Sequence, residues 1–447
     1  MHVDPREQLA LVAGLAKWIF LGSLVGVISG AASAAFLLGL EWATHTRIET
    51  PWTLWLLPLA GAGIGWIYSR FGREVEAGNN LLLERIHTMD GHVSVVMAPL
   101  IALSTIGTHL FGGSAGREGT AVQMGGSLAD YLARKLRLNR VDRRILLMSG
   151  ISGGFGSIFG TPIAGMIFGL EVLAIGRLRY DALVPCFVAS TIGNLTCHAL
   201  GIVHHPYAVG PAPEITPSLL VWTALAGLAF GLAALVFAEL THLIQHTMKT
   251  NVHVPWLRPF FGGLIVIGMT LAVGSRDYLG LSLPLIADSF EPGKVIPWAF
   301  ALKILFTAIT LGSGFKGGEV TPLFCIGATL GHTFATIFGL PVPTFAALGF
   351  VAVFAGAANT PLTCLMMGIE LFGAELAVPL SLACIVSYIA SGHRGIYMSQ
   401  RISTPKSHAI HVEPDATLHE TRALGLKFKL RHLENEPTPG DQGQADG

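Results

Sequence analysis

Charge is scarce in this chain. Of its 447 residues, 28 are Lys or Arg and 28 are Asp or Glu, together 13%. A soluble domain carries about 25%, so the shortage points to an integral membrane protein. The two signs cancel to a formal net charge of zero, which implies no nucleic-acid partner. Cysteine chemistry is missing as well. Cys186, Cys197, Cys325, Cys364 and Cys384 lie in apolar segments without metal-ligand spacing, and they read as small core residues. The opening residues, MHVDPREQLALVAGLAKW, show no cleavable signal pattern. Their apolar segment is expected to continue as a spanning helix. Neither a metal nor an organic cofactor is expected.

What the chain has instead is apolar length. It is 51% hydrophobic, with mean hydropathy +0.59. Charge-free stretches run over Trp18–Leu40, Val93–Gly116, Ile145–Leu170, Ile215–Ala238 and Pro259–Ser275. The longest, Val320–Ile369, contains only His332 as a titratable interruption. Roughly 20 apolar residues span a bilayer, so that run must hold more than one helix. Ile304–Phe315 is shorter. Short apolar segments broken by Gly and Pro predict helices that enter the membrane without crossing it, buried in protein or lining a cavity. The 54 glycines suit close helix packing in lipid.

One segment concentrates the chemistry: GGSAGREGTAVQMGGSLAD, residues 112–130. Arg117 and Glu118 end the charge-free stretch Val93–Gly116. A carboxylate at membrane depth is costly and is by default a functional candidate. Gly116 and Gly119 let the backbone leave helical geometry and turn amide groups toward an ion. An anion transporter with a titratable gate is the function this pattern predicts.

The chain also contains a diverged repeat. GISGGFGSIFGTPIAGMIFGLEV (150–172) resembles GFVAVFAGAANTPLTCLMMGIEL (349–371), aligning Thr161-Pro162 with Thr360-Pro361 and Glu171 with Glu370. GSAGREGTAVQMG matches GSGFKGGEVTPLFCIG more loosely, placing Glu118 against Val320 and Thr120 against Pro322. Repeats carrying broken helices point to a binding site where the halves meet. The expected organisation is a first transmembrane repeat over 1–205, a second over 206–402, and a polar tail over 403–447 that is disordered at its end. The basic cluster from Arg134 to Arg144 predicts a cytoplasmic loop.

In order and spacing, these motifs resemble the CLC family of chloride channels and proton-coupled anion antiporters over nearly all of residues 15–402. GREGT (116–120) is similar to the family's gating-glutamate motif, which usually ends in Pro. GGEVTP (317–322) is similar to its Gly-x-Phe-x-Pro motif, with Val320 where Phe is usual. Tyr397, in GHRGIY, resembles the anion-coordinating tyrosine. Where the family has a coordinating serine in Gly-Ser-Gly-Ile-Pro, this chain reads Gly78-Asn79-Asn80-Leu81-Leu82, and the inner proton-transfer glutamate is replaced by Val172. Together these departures resemble the fluoride-exporting clade. The resemblance implies an all-α membrane fold of two inverted-topology repeats with tilted and broken helices. It also implies a homodimer with one pore per subunit, a multi-pass place in the bacterial inner (plasma) membrane, and fluoride/proton antiport.

Fluoride is small, strongly hydrated and a strong acceptor, so a selective site must return close donors. Asn79 offers two amide donors, Tyr397 and Thr321 a hydroxyl each. Backbone amides at Gly116–Thr120 and Gly318–Thr321 can add more where broken helices begin. Glu118 is expected to compete with the anion when charged and to leave when protonated. Glu319 is a candidate proton relay.

Blander roles stand beside these. Asn79 also fits a turn or cap, Tyr397 an interfacial aromatic, and Glu319 a helix-start carboxylate or a partner of Lys316. An Arg117–Glu118 pair is disfavoured, because neighbours on a helix do not face each other. Glu171 and Glu370 are expected to end their helices at an interface or to meet basic partners. The His87–His92 cluster and His204-His205-Pro206 read as loops. A chloride/proton antiporter or a passive anion channel of the same fold is the competing function. An intramembrane enzyme is disfavoured because no nucleophile–base–oxyanion set or zinc motif accompanies Glu118.

Overall fold

The computed structural model describes residues 5–203, 209–407, 409–413, 415–424 and 427–428. His204-His205-Pro206 and most of the far tail lie outside the described residues. Helices dominate, and their order repeats. The first half runs α1 (Pro5–Glu49), α2 (Leu57–Phe71), α3 (Asn79–Thr88), α4 (Met97–Leu110), α5 (Glu118–Lys135), α6 (Arg140–Phe159), α7 (Pro162–Glu171) and α8 (Leu183–Ala199). The second runs α9 (Pro217–Asn251), α10 (Arg258–Val273), α11 (Leu283–Asp288), α12 (Ala299–Gly312), α13 (Val320–Phe338), α14 (Val342–Ala358), α15 (Pro361–Phe372) and α16 (Ala377–Ala390). The long apolar run Val320–Ile369 is divided among α13, α14 and most of α15.

Helix lengths fall on both sides of what a bilayer demands. Among the described residues, five helical segments are long and apolar enough to cross. At 1.5 Å per residue the 45-residue α1 is roughly 67 Å long, so it crosses the roughly 30 Å hydrocarbon core only with a tilt or with its ends outside. The 14-residue α12 reaches roughly 21 Å and cannot cross alone.

Glycine explains how the central helices come so close. A Cβ on Gly125 of α5 would stand 2.1 Å from the Gly150 carbonyl oxygen of α6, and one on Gly327 of α13 would stand 1.9 Å from that of Gly349 on α14. The same backbone-to-backbone crossing is thus built twice, once in each half. Above it lies an aromatic stack that joins the halves. Phe155 stacks on Phe168 at 4.2 Å, Phe324 on Phe350 at 4.1 Å, and Phe159 meets Phe324 at 5.3 Å.

The halves also clasp each other through two carboxylates. Thr161-Pro162 and Thr360-Pro361 start α7 and α15, with Pro in the first turn and no threonine side-chain cap. Instead Glu370, on α15, accepts the amides of Ile163 (2.9 Å) and Ala164 (2.8 Å) at the start of α7. Glu171, on α7, accepts those of Leu362 (3.0 Å) and Thr363 (2.8 Å) at the start of α15, and the Thr363 hydroxyl at 2.6 Å. The partners of these acids are therefore helix N-termini of the opposite repeat, not basic side chains. Charge-assisted hydrogen bonds of this kind contribute about 1.5–3 kcal/mol each. Glu171→Gln, which keeps the shape and removes the charge, is expected to lower the protein's stability by about 1–3 kcal/mol, read as a fall in thermal midpoint in detergent. An unchanged midpoint would show that the clasp carries no net stability.

The start of the polar tail is folded against the helical body. β1 (Ala174–Ile175) pairs in parallel with β2 (Arg401–Ile402), and β3 (Ile410–His411) pairs antiparallel with β4 (Lys427–Phe428). Ile175, Ile402 and Leu418, the first residue of α17 (Leu418–Leu424), form a small apolar cluster. Arg422 reaches Glu239 on α9 at 2.8 Å. His87 likewise sits in α3 rather than in a loop, half-buried, with Nε2 2.9 Å from the Leu173 carbonyl oxygen.

Candidate functional site: an anion pathway where helix starts converge

α5 and α13 begin almost head to head. The segments preceding them pair in an antiparallel bridge: the Gly116 amide donates to the Gly318 carbonyl (2.6 Å) and the Gly318 amide to that of Gly116 (2.8 Å). Such reciprocal bonds are what two segments related by a two-fold axis make. They also mean that these two amides face each other rather than an ion. Gly116 was expected to offer its amide to the anion; here it serves to hold the two helix starts together. Glycine is needed there, because a Cβ on Gly116 would lie 2.8 Å from the Pro322 ring and 2.9 Å from the Gly318 carbonyl oxygen.

Glu118 is the first residue of α5 and is fully buried. Its carboxylate does not point away from its neighbours in sequence. One oxygen accepts the Thr321 amide at 3.0 Å and the Arg117 amide at 3.1 Å, and the other accepts the Thr321 hydroxyl. The Arg117 Nε stands 3.4 Å from Glu118 Oε1. This adjacent pair forms because Arg117 is the residue before the helix, where helical geometry does not yet separate the side chains. The acid thus lies across the N-terminus of α13, whose start carries roughly half a positive charge. An anion would be drawn to the same place.

A third helix start completes the arrangement. Gly78 turns the chain at φ +58, and Asn79 is the first residue of α3, with no capping hydrogen bond from a side chain there. Asn79 thus stands one residue past the cap position, which Gly78 occupies. Its Nδ2 lies 3.0 Å, and the Glu319 Oε2 3.4 Å, from where a Gly119 Cβ would be. The missing side chain of Gly119 is what lets an amide and a carboxyl group approach one spot beside Glu118. Asn79 Oδ1 and Glu319 Oε2 are buried and have no hydrogen-bond partner among the described residues. Buried polar atoms of this kind call for an explanation. Lys316, considered as a partner for Glu319, instead places its Nζ 4.1 Å over the Tyr68 ring.

Tyr397 is buried, with its ring edge-on to Phe168 at 6.5 Å. It is therefore an interior residue, not an interfacial one. Asn79, Val122, Phe168, Val172 and Tyr397 line a partly open cavity of about 10 Å³, the scale of a single water. Not every candidate joins the site by its side chain. The Thr120 hydroxyl bonds that of Thr105 at 2.8 Å, and Val320 buries its side chain in the core at the start of α13.

Two buried polar residues nearby escaped the sequence reading. Lys303 of α12 is fully buried and donates to Ser114 Oγ (2.9 Å), Ser282 Oγ (2.8 Å) and the carbonyls of Gly280 (2.9 Å) and Tyr278 (3.2 Å). It anchors the loop that leads to Glu118. His109 of α4 spans the Thr105 (2.8 Å) and Ala115 (3.0 Å) carbonyls just upstream. A signal for Lys303 was present. It is a lone cation inside AFALKILFTAITLG, and the rule applied to Glu118 applies to it equally.

Comparison with known proteins gives this geometry its setting. Residues 60–392 match the voltage gated chloride channel family. A protein of Pseudomonas syringae pv. tomato named "Chloride/fluoride channel protein" is 50% identical over 412 residues, covering 90% of each chain. The crystal structure of a CLC-type fluoride/proton antiporter superposes with TM-score 0.84 at 32% identity, over 90% of this chain and 100% of that one. A slow cyanobacterial Cl−/H+ antiporter superposes with TM-score 0.73 at 18% identity, over 87% and 95%. That last likeness speaks for the fold alone.

Proposed function

The chain belongs to the voltage-gated chloride channel family, and we propose that within it this protein exports fluoride from the bacterial cytoplasm in exchange for protons. The observation that carries this reading is the Glu118 carboxylate lodged on the α13 N-terminus, held by the Thr321 amide and hydroxyl. While charged, it fills the place an anion would take. On gaining a proton it loses the charge that the helix starts attract, and a small anion can replace it. Proton binding and anion entry then become one event.

Asn79, Tyr397 and Thr321 are the side chains we assign to the anion, with the backbone amides of Gly119 and Thr120, in the first turn of α5, beside them. Glu319 is assigned to the proton, since Val172 stands where a carboxylate would otherwise carry it inward. No covalent chemistry is asked of any residue, so the protein is read as a transporter and not an enzyme. A homodimer is part of this proposal.

The test is flux from liposomes. Fluoride leaving protein-containing vesicles down its gradient should drive proton uptake, and chloride should fail to do so. The name of the Pseudomonas relative favours one competing reading, a passive channel. Fluoride efflux that dissipates freely with no proton movement would establish that reading and end the antiporter one. Selectivity has its own variant. Asn79→Ser removes two amide donors and restores one hydroxyl, so fluoride preference over chloride should fall by about tenfold, equivalent to one lost hydrogen bond of about 1.4 kcal/mol. An unchanged fluoride-to-chloride flux ratio would remove Asn79 from the selectivity argument.

A further inference from the structure

A second cavity, of about 180 Å³, is lined in part by Arg144 near the start of α6. His87, Arg144, Arg177, Arg179, Arg401 and Asp415 line it. Arg179 is forked onto Asp181 at 3.0 and 2.6 Å. Arg144, Arg177 and Arg401 form no ion pair among the described residues, and the Nε of Arg144 is buried with no partner there. Asp415 is occupied by the Ser403 hydroxyl at 3.3 Å. Four guanidinium groups thus line the cavity against the Asp415 carboxylate and the Asp181 carboxylate held by Arg179, so positive charge is in excess there.

We propose that this cavity binds a phosphate-class oxyanion, either free or as the headgroup of an anionic lipid. The choice of ligand follows from geometry. A guanidinium presents a planar fork that matches two oxygens of phosphate or carboxylate, and several forks together suit a multiply charged oxyanion. A halide is a single sphere and gains nothing from the fork. The volume is more than ten times the roughly 10–15 Å³ that admits one water, too large for a lone fluoride. No residue lines both this cavity and the one beside Asn79 and Tyr397, although Val172 of one and Leu173 of the other are consecutive. The occupant would bridge two parts of the fold. Arg144, Arg177 and Arg179 belong to the first half, whereas Arg401 belongs to the segment after Tyr397, tied to Leu173 through its own amide at 3.2 Å.

The experiment uses the full chain, purified in detergent and separately reconstituted. Inorganic phosphate, compared with chloride at equal ionic strength, should raise the thermal midpoint. The half-saturating phosphate concentration should rise about tenfold or more in Arg177→Lys, which keeps the charge but loses the fork. The triple variant Arg144→Gln/Arg177→Gln/Arg401→Gln should lose the effect. In phosphatidylcholine vesicles doped with phosphatidate, a stabilisation that soluble phosphate does not reproduce identifies the headgroup as the source; stabilisation by both identifies the free ion as sufficient. Either result, if abolished in the variants, supports the assignment. If the triple variant does not fold, Arg177→Lys decides alone. Equal midpoints with phosphate, phosphatidate and chloride, or a shift that Arg177→Lys leaves untouched, would overturn it. Fluoride efflux by Arg177→Lys should stay at the unmodified level, so the result is independent of the transport reading.

Discussion

Glu118→Gln is expected to abolish fluoride-driven proton uptake. Glutamine matches glutamate in size and can still accept the Thr321 amide, so the helix starts around it should remain in place. What it cannot do is carry a negative charge or exchange a proton at ordinary pH. A positioned proton-transfer group contributes on the order of 100-fold or more, so proton flux in liposomes should fall at least that far, to the background of empty vesicles. Fluoride movement need not vanish, because a neutral side chain no longer competes for the α13 N-terminus. Two ion-selective electrodes read both quantities in one preparation. Proton uptake that still follows fluoride in this variant would remove Glu118 from the coupling step and with it the central assumption of the exchange mechanism.

The sequence made Glu118 easy to find because an ionisable residue inside an apolar stretch is rare and costly. The repeat was legible for a similar reason. Thr-Pro followed nine residues later by Glu recurs in both halves, and the structure shows why. Each Glu clasps the helix start belonging to the other Thr-Pro. The clasp itself was not legible, because its partners are backbone amides more than 190 residues away, and amides leave no trace in side-chain identity. The same blindness hid the Gly116–Gly318 bridge, which takes up two amides expected to face an ion. Arg117 and Glu118 show a different failure. The rule that neighbours diverge holds within a helix, and the helix starts at Glu118 itself. In the tail, polarity hid order. Only a few apolar residues, among them Ile402 and Leu418, dock it, too few to alter its composition.

Glu319 offers the second large effect. Three uses for its side chain can be separated by contact. It stands at the N-cap position of α13 but makes no side-chain capping hydrogen bond there, which leaves only its charge to favour the helix start. It does not pair with Lys316, whose ammonium sits over Tyr68. What remains is a buried oxygen with no hydrogen-bond partner among the described residues, converging with the Asn79 amide on the space beside Gly119. On the proposed reading, Glu319 receives the proton that Glu118 releases. Glu319→Gln keeps the side chain's volume and removes its charge. Exchange should nevertheless fall by about 10- to 100-fold, and its dependence on pH should flatten, while the thermal midpoint stays near that of the unmodified protein. A purely structural carboxylate would give the reverse, a lowered midpoint with transport preserved. Exchange with unmodified rate and pH profile in Glu319→Gln would leave the proton with Glu118 and water alone.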